Sequence, residues 1–254
     1  RPTCETAGMS VRATHTDHAL SFDDGDDLRY ARIDSRAPGD GRVLPLVIGL
    51  HYGWEGDMSP RHGNNFMRAF LEPVFRGQDA VLVAPNCPER TWHHPRSEAA
   101  VLALRRQLIA ESAVAADHVV LAGYSLGGMG TWYLGTHHPD CFAAGIAVAA
   151  VPVLYPDDPQ DSGLARFEEL IARGVVGWRE ELARFPLWVV NSRADELIPY
   201  RAVEKAVGQM RRRGGKIEFI SLDDVGHYDS RHYVEALRPL AAEVLARTAT
   251  TSRP

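Results

Sequence analysis

Cysteine is scarce in this sequence of 254 residues, where it occurs only as Cys4, Cys87 and Cys141. An odd number of cysteines without a Cys-x-x-Cys spacing argues against a disulfide framework and against a cysteine-ligated zinc site. The histidine pair His93-His94 has no third ligand at a recognisable spacing, so it predicts no metal site either. We therefore predict that the protein uses neither a metal nor another cofactor.

Long apolar runs and an excess of basic charge are missing as well. No run reaches 18 apolar residues, which excludes a membrane-spanning helix. The net charge of −5 at pH 7, without a basic stripe, gives no electrostatic signature for a nucleic-acid partner. These absences predict a soluble protein, either cytoplasmic or secreted after removal of a signal peptide, whose oligomeric state the sequence leaves open.

The composition is that of a globular domain, with 45% hydrophobic and 24% charged residues. The length suits a single domain over residues 1–254 with a modest insertion. We expect loosely ordered ends at 1–17 and 248–254, which lack hydrophobic periodicity. The proline-rich segment 152–185, with two helical stretches, is interpreted either as a cap-like insertion over the sheet or as a surface crossover.

Short apolar runs without alternation predict strands that are buried on both faces. Amphipathic segments between these runs predict helices. The predicted strands are 43–50, 80–84, 118–122, 145–150, 186–190 and 217–221, and the predicted helices are 64–75, 97–111 and 201–213. This alternation indicates a mainly parallel sheet with helices on both faces. Two runs around the Asp/Gly-rich turn 23–27 add an antiparallel hairpin at its N-terminal edge.

The pentapeptide Gly123-Tyr124-Ser125-Leu126-Gly127 follows the predicted strand 118–122 and precedes a helix-compatible stretch. Such a strand–turn–helix context is typical of a nucleophile elbow, in which a serine sits on a sharp turn. The amide of Leu126, next after the serine and at the start of a helix, is then one donor to an oxyanion. We predict Ser125 as the nucleophile.

A serine nucleophile needs a histidine base, and the histidine needs a carboxylate to orient it. His227 follows the last predicted strand, whereas His232 lies about one helical turn further on. Asp195 leaves the predicted strand 186–190 and comes before His227 in the required order of serine, acid and histidine. We predict His227 as the base and Asp195 as the carboxylate that orients it, with the neighbouring Glu196 as the nearest rival for the carboxylate.

The second oxyanion donor is expected in the loop that follows the strand 43–50. Either the amide of Gly53 or that of Trp54 could serve, and the sequence does not choose between them. Candidate substrate contacts at the same end of the sheet are Tyr52, Trp54, Tyr124 and Trp92. His51 precedes the serine and is interpreted as a hydrogen-bonded support of the loop.

Together these residues resemble the α/β-hydrolase superfamily, in particular phospholipase/carboxylesterase, feruloyl-esterase and polyhydroxybutyrate-depolymerase-like groups, and peptidases related to prolyl oligopeptidase. The resemblance spans roughly residues 43–245. Its matching pieces are Leu50-His51, the run from Gly123 to Trp132, His137 to Ala144, Asp195 to Pro199, and Gly226-His227. One departure is His51-Tyr52-Gly53, where these groups usually have His-Gly, which leaves the second oxyanion donor open.

The sequence and the resemblance together predict a serine carboxylic-ester hydrolase that works through an acyl-enzyme on Ser125. Short-chain or aryl esters are the expected small-molecule substrates. The alternatives are a serine peptidase or thioesterase of the same fold, and a non-catalytic binding protein on a hydrolase scaffold. Retention of Ser125, Asp195 and His227 in the required order argues against the last of these.

Overall fold

The structure is a computed structural model that describes residues 14–22, 25–37, 39–53, 62–111, 114–152 and 184–251. Its strands are β1 (Thr14–Ser21), β2 (Asp27–Asp34), β3 (Leu44–Leu50), β4 (Val81–Pro85), β5 (Val114–Tyr124), β6 (Ala144–Val148), β7 (Leu187–Ser192) and β8 (Ile217–Leu222). Its helices are α1 (His62–Phe66), a π-helical turn (Met67–Leu71), α2 (Glu72–Phe75), α3 (Pro95–Ala110), α4 (Leu126–His137), α5 (Tyr200–Arg212) and α6 (Ser230–Thr251).

The strands form one sheet in the order β1-β2-β4-β3-β5-β6-β7-β8. All neighbours from β4 to β8 run parallel, whereas β1 pairs antiparallel with β2, and β2 pairs antiparallel with β4. The predicted mainly parallel sheet with an antiparallel N-terminal edge is confirmed. Because parallel strands end at the same edge, the loops after β3, β5, β7 and β8 meet there.

The sheet is buried on both faces, which explains its uninterrupted apolar strands. In β3, Leu46, Val47 and Ile48 are all fully buried. Leu46 and Ile48 belong to a cluster with residues of α3, α4 and α5, whereas Val47 belongs to a cluster with residues of α1, α2 and α6. Apolar side chains are therefore needed at odd and even positions alike.

The boundaries of the chain ends differ from the sequence prediction. Residues 14–17, expected in a loosely ordered start, lie in β1, where they pair with β2. At the other end, α6 continues to Thr251, and Thr248 is buried with its hydroxyl 2.5 Å from His118 Nε2. Tertiary contacts thus order segments that carry no periodic pattern. The predicted insertion at 152–185 lies outside the described residues except for 152, 184 and 185.

Candidate active site

Ser125 occupies a strained turn between β5 and α4. Its φ of 55° and ψ of −117° lie outside the regions that non-glycine residues favour. Its N–H donates to the carbonyl oxygen of Val148 at 2.9 Å, which ties the turn to the neighbouring β6. Its side chain makes no capping bond to α4. The hydroxyl is therefore left for a partner outside the helix.

Gly123 and Gly127 allow the backbone on either side of Ser125 to approach its neighbours closely. A Cβ on Gly123 would lie 2.0 Å from the carbonyl oxygen of Gly127. A Cβ on Gly127 would lie 1.8 Å from the carbonyl oxygen of Leu50 at the end of β3. Both distances are far below van der Waals contact, so only glycine fits at these two positions.

His227 brings its imidazole to the serine from the loop between β8 and α6. Its Nε2 lies 2.9 Å from Ser125 Oγ, which is hydrogen-bond distance. The histidine is 3% exposed, so bulk water has little access to this bond. A basic nitrogen at this distance can accept the serine proton as the hydroxyl attacks a carbonyl carbon.

Asp195 orients that imidazole from the loop after β7. Both of its carboxylate oxygens lie 3.0 Å from His227 Nδ1. An ionised carboxylate only accepts hydrogen bonds, so Nδ1 carries the proton and Nε2 faces the serine as an acceptor. Oδ1 also accepts the amides of Leu197 at 3.0 Å and Ile198 at 2.8 Å, and Oδ2 accepts the Tyr233 hydroxyl at 3.4 Å. The oxygens of this buried carboxylate therefore all have hydrogen-bond partners, as buried polar groups require.

The rivals for the acid and the base have other partners. Glu196, next to Asp195, accepts the main-chain N–H of His227 through Oε2 at 2.8 Å rather than the imidazole. His232 lies in the first turn of α6, where its Nδ1 is 2.5 Å from Asp229 Oδ2. The contacts of Glu196 and Tyr233 with this site were missed from the sequence, because no spacing marks a side chain that reaches across from another element.

The predicted oxyanion loop lies against the start of α4. A Cβ on Gly53 would lie 3.5 Å from Leu126 Cδ2, which places the backbone of this loop beside the residue after the nucleophile. Trp54 lies outside the described residues. The roles of the Leu126, Gly53 and Trp54 amides as oxyanion donors stay predictions.

His51 supports this loop from inside. Its Nδ1 donates to the carbonyl oxygen of Tyr52 at 2.8 Å, and its Nε2 accepts the amide of Cys87 at 3.0 Å. Burial lowers the pKa of His51 to about 4, so the imidazole is neutral at neutral pH and both nitrogens have partners. The side chain therefore links the end of β3 to the segment that follows β4.

Two of the predicted substrate contacts are buried beneath the site instead. Trp92 is fully buried, with its indole N–H donating to the carbonyl oxygen of His51 at 2.9 Å. Tyr124 is buried as well, and its hydroxyl donates to the carbonyl oxygen of His227. Trp92 follows β4 and Tyr124 ends β5 at the predicted edge of the sheet, but both side chains lie in the interior, and their contact with substrate stays a prediction. Tyr52 is half-buried against the rings of Phe66 and Tyr124, and its contact with substrate stays a prediction.

Metal-binding and membrane-spanning features are not found in the described part of the chain. No group of three or more His, Cys, Asp or Glu side chains there could hold a metal ion. Cys87 and Cys141, the two cysteines described, are free thiols, and burial raises the pKa of Cys87 to about 12. Every described helix is too short or too polar to cross a bilayer.

One protein family matches the part of the chain that carries the serine, the carboxylate and the histidine. The model of the prolyl oligopeptidase family matches residues 99–243, which is more than half of the chain. The matched range contains Ser125, Asp195 and His227. No curated protein matches the chain significantly.

Solved structures share the architecture over nearly the whole chain. A ferulic acid esterase superimposes with a TM-score of 0.70 and 18% identity, over 92% of this chain and 98% of that protein. The S-formylglutathione hydrolase of Staphylococcus aureus gives a TM-score of 0.65 and 15% identity, over 92% and 97%. A thermostable esterase superimposes with a TM-score of 0.64 and 19% identity over 92% of this chain. The match covers 62% of the esterase, so this chain spans less than two thirds of that protein's length. At these identities the likeness shows the α/β-hydrolase fold.

Proposed function

We propose that this chain, which belongs to the prolyl oligopeptidase family, is a serine hydrolase that cleaves carboxylic esters. The observation that carries this proposal is the continuous relay from Asp195 through His227 to Ser125. Each step of the relay is within hydrogen-bond distance, with 3.0 Å at the carboxylate and 2.9 Å at the serine. A binding protein would have no need of a strained serine with a buried histidine and carboxylate aligned behind it.

The proposed reaction is acyl transfer through a covalent intermediate. His227 Nε2 takes the proton of Ser125 while Oγ forms a bond to the ester carbonyl carbon, and the carbonyl oxygen becomes negative. Amides of Leu126 and of the loop at Gly53 and Trp54 are proposed to stabilise that oxyanion. When the tetrahedral intermediate collapses, the bond to the alcohol breaks and the proton on His227 goes to the leaving oxygen. Water, deprotonated by the same histidine, then hydrolyses the acyl-enzyme.

An exposed aromatic ring beside the relay supports aryl esters among the substrates. Tyr228 follows His227 directly and is 77% exposed, with its ring 5.4 Å from the imidazole in a T-shaped arrangement. An aromatic group of a bound ester could pack against this ring next to the reacting atoms. The ferulic acid esterase among the structural neighbours is consistent with such a substrate.

Replacing Ser125→Ala tests the nucleophile. We expect turnover of a nitrophenyl ester to fall by about ten-thousand-fold or more, because binding and oxyanion stabilisation alone remain. A fluorophosphonate probe should label the unaltered protein and leave Ser125→Ala unlabelled. Retention of most of the esterase activity by Ser125→Ala would contradict the proposal, and failure of the probe to label the unaltered protein would favour the binding protein.

A substrate panel separates the enzyme alternatives. It comprises nitrophenyl esters of increasing acyl length, a hydroxycinnamate ester, a thioester and a peptide amide, each assayed with the unaltered protein and with Ser125→Ala as background. We expect the highest kcat/KM with the short nitrophenyl esters and the hydroxycinnamate ester. Faster cleavage of the peptide amide would favour the peptidase that the family match suggests. Faster cleavage of the thioester would favour a thioesterase.

A further inference from the structure

The main chain of His227 makes two hydrogen bonds that the proposed mechanism does not use. Glu196 Oε2 accepts the N–H of His227 at 2.8 Å. The hydroxyl of Tyr124 donates to the carbonyl oxygen of the same residue. Glu196 comes from the loop after β7, and Tyr124 is the last residue of β5, directly before Ser125. The backbone of this one histidine is thus held by a loop residue and by a strand residue from elsewhere in the sheet.

Such bonds matter because His227 lies in a connection without regular structure, between the end of β8 at Leu222 and the start of α6 at Ser230. The imidazole contacts both Asp195 and Ser125 only while its own Cα stays in place. Gly226 allows the close approach, since a Cβ there would lie 3.2 Å from Glu196 Oε2.

A need to join the loop after β7 to the loop after β8 does not by itself explain the position of Glu196. Arg193 and Asp223 already join the same loops through an ion pair, with Arg193 Nε at 3.1 Å from Asp223 Oδ1. That pair is exposed, and its two side chains bond to each other rather than to the peptide group of His227. Glu196, in contrast, contacts the peptide group of His227 itself.

We propose that Glu196 and Tyr124 are positioning residues, which hold the N–H and the C=O of His227 so that its imidazole stays aligned with Ser125. This inference rests on the proposed role of the Ser125, His227 and Asp195 relay. Glu196 acts through its carboxylate oxygen as an acceptor, and Tyr124 acts through its hydroxyl as a donor. Neither side chain exchanges a proton with the substrate.

Substitution of Glu196 tests the first half of this proposal. Glu196→Ala removes the acceptor, so kcat should fall by about ten- to a hundred-fold while KM stays unchanged, because misplacement of a reacting group lowers turnover rather than binding. Glu196→Gln retains a carbonyl oxygen that accepts the same N–H, so kcat should return to within about threefold of the unaltered protein. The rate constant for fluorophosphonate labelling of Ser125 should follow kcat in both variants.

Asp223→Ala is the matched control, because it breaks another side-chain contact between the same two loops at an exposed site. Its kcat, labelling rate and melting temperature should stay close to those of the unaltered protein, as expected for a surface ion pair. Glu196→Ala should also melt close to the unaltered protein, which separates positioning from unfolding.

Tyr124→Phe tests the second half by removing only the hydroxyl. We expect a fall in kcat and in labelling rate with KM unchanged. The buried carbonyl of His227 loses its donor, so the melting temperature should fall too, and rates are measured well below it.

Any one of three results overturns the part assigned to Glu196. The first is that Glu196→Ala has the same kcat and labelling rate as Asp223→Ala, and the second is that kcat falls as far in Glu196→Gln as in Glu196→Ala. The third is that Glu196→Ala and Glu196→Gln raise KM and leave kcat unchanged. Unchanged kcat and labelling in Tyr124→Phe overturns the part assigned to Tyr124. If Ser125→Ala itself keeps its activity, the proposed function fails instead, so the two failures are distinguishable.

Discussion

At the scale of single residues, Ser125 illustrates how a conformational cost is maintained by its surroundings. A backbone in a sparsely populated region costs on the order of 1–3 kcal/mol and persists only where neighbouring contacts hold it. Here the contacts are the close approaches at Gly123 and Gly127 and the bond from Ser125 N to Val148 O. The turn directs the hydroxyl away from α4 and toward His227.

Gly123→Ala tests this packing. The added Cβ would meet the carbonyl oxygen of Gly127 at 2.0 Å, so either the turn shifts or the protein loses stability, by about 3 kcal/mol. We expect a lower melting temperature together with a kcat reduced by more than tenfold, because the serine moves relative to His227. Gly41→Ala is the control, since a Cβ there meets nothing within 4 Å. Similar behaviour of the two variants would contradict the steric argument.

At the scale of elements, the site depends on loops that follow parallel strands and on the contacts between those loops. His51 is an example, because it joins the end of β3 to Cys87 after β4, while its carbonyl oxygen accepts a bond from Trp92 before α3. His51 thereby joins two connections without regular structure, the loop after β3 and the segment between β4 and α3, through its neutral imidazole and its own main-chain carbonyl. Such a group makes the arrangement sensitive to acid.

The lowered pKa of His51 predicts a loss of stability at low pH. Because its folded-state pKa of about 4 lies below the ordinary value of 6.5, the unfolded chain binds a proton in this range that the folded protein does not. The neutral imidazole therefore contributes about 3 kcal/mol to the free energy of unfolding. This contribution is complete above pH 6.5 and is lost as the pH falls toward 4.

Denaturant unfolding between pH 4 and pH 7 measures this effect. His51→Asn should show a shallower dependence of unfolding free energy on pH than the unaltered protein. An equally steep dependence in His51→Asn would assign the acid sensitivity to other groups.

At the scale of the whole molecule, two apolar clusters cover the two faces of one sheet, and the site lies at the edge where its parallel strands end. Phe185 shows how tightly the layers pack. A Cβ on Gly135 of α4 would lie 2.0 Å from a carbon of this ring, and a Cβ on Gly145 of β6 would lie 2.7 Å from another. The helix that begins at the nucleophile is thus anchored to the sheet far from Ser125.

Phe185→Ala should lower the unfolding free energy by about 3–5 kcal/mol, because a large buried ring is replaced by a cavity against bare glycine backbone. Val43→Ala, at a 59% exposed position, should change the unfolding free energy by less than about 0.5 kcal/mol. Equilibrium unfolding in urea measures both. A cost below about 1 kcal/mol for Phe185→Ala would show that the site collapses to fill the space.

The sequence by itself determined the sheet, the elbow at Ser125 and the order in which Asp195 and His227 follow it. Apolar runs and glycines act locally, so their pattern is sufficient to predict a buried strand and a tight turn. Only the tertiary structure decided that Asp195 meets the imidazole of His227 whereas Glu196 meets its main chain. It also placed Trp92 and Tyr124 in the interior. The direction and burial of a side chain depend on elements that are distant in the chain, and no local pattern records that dependence.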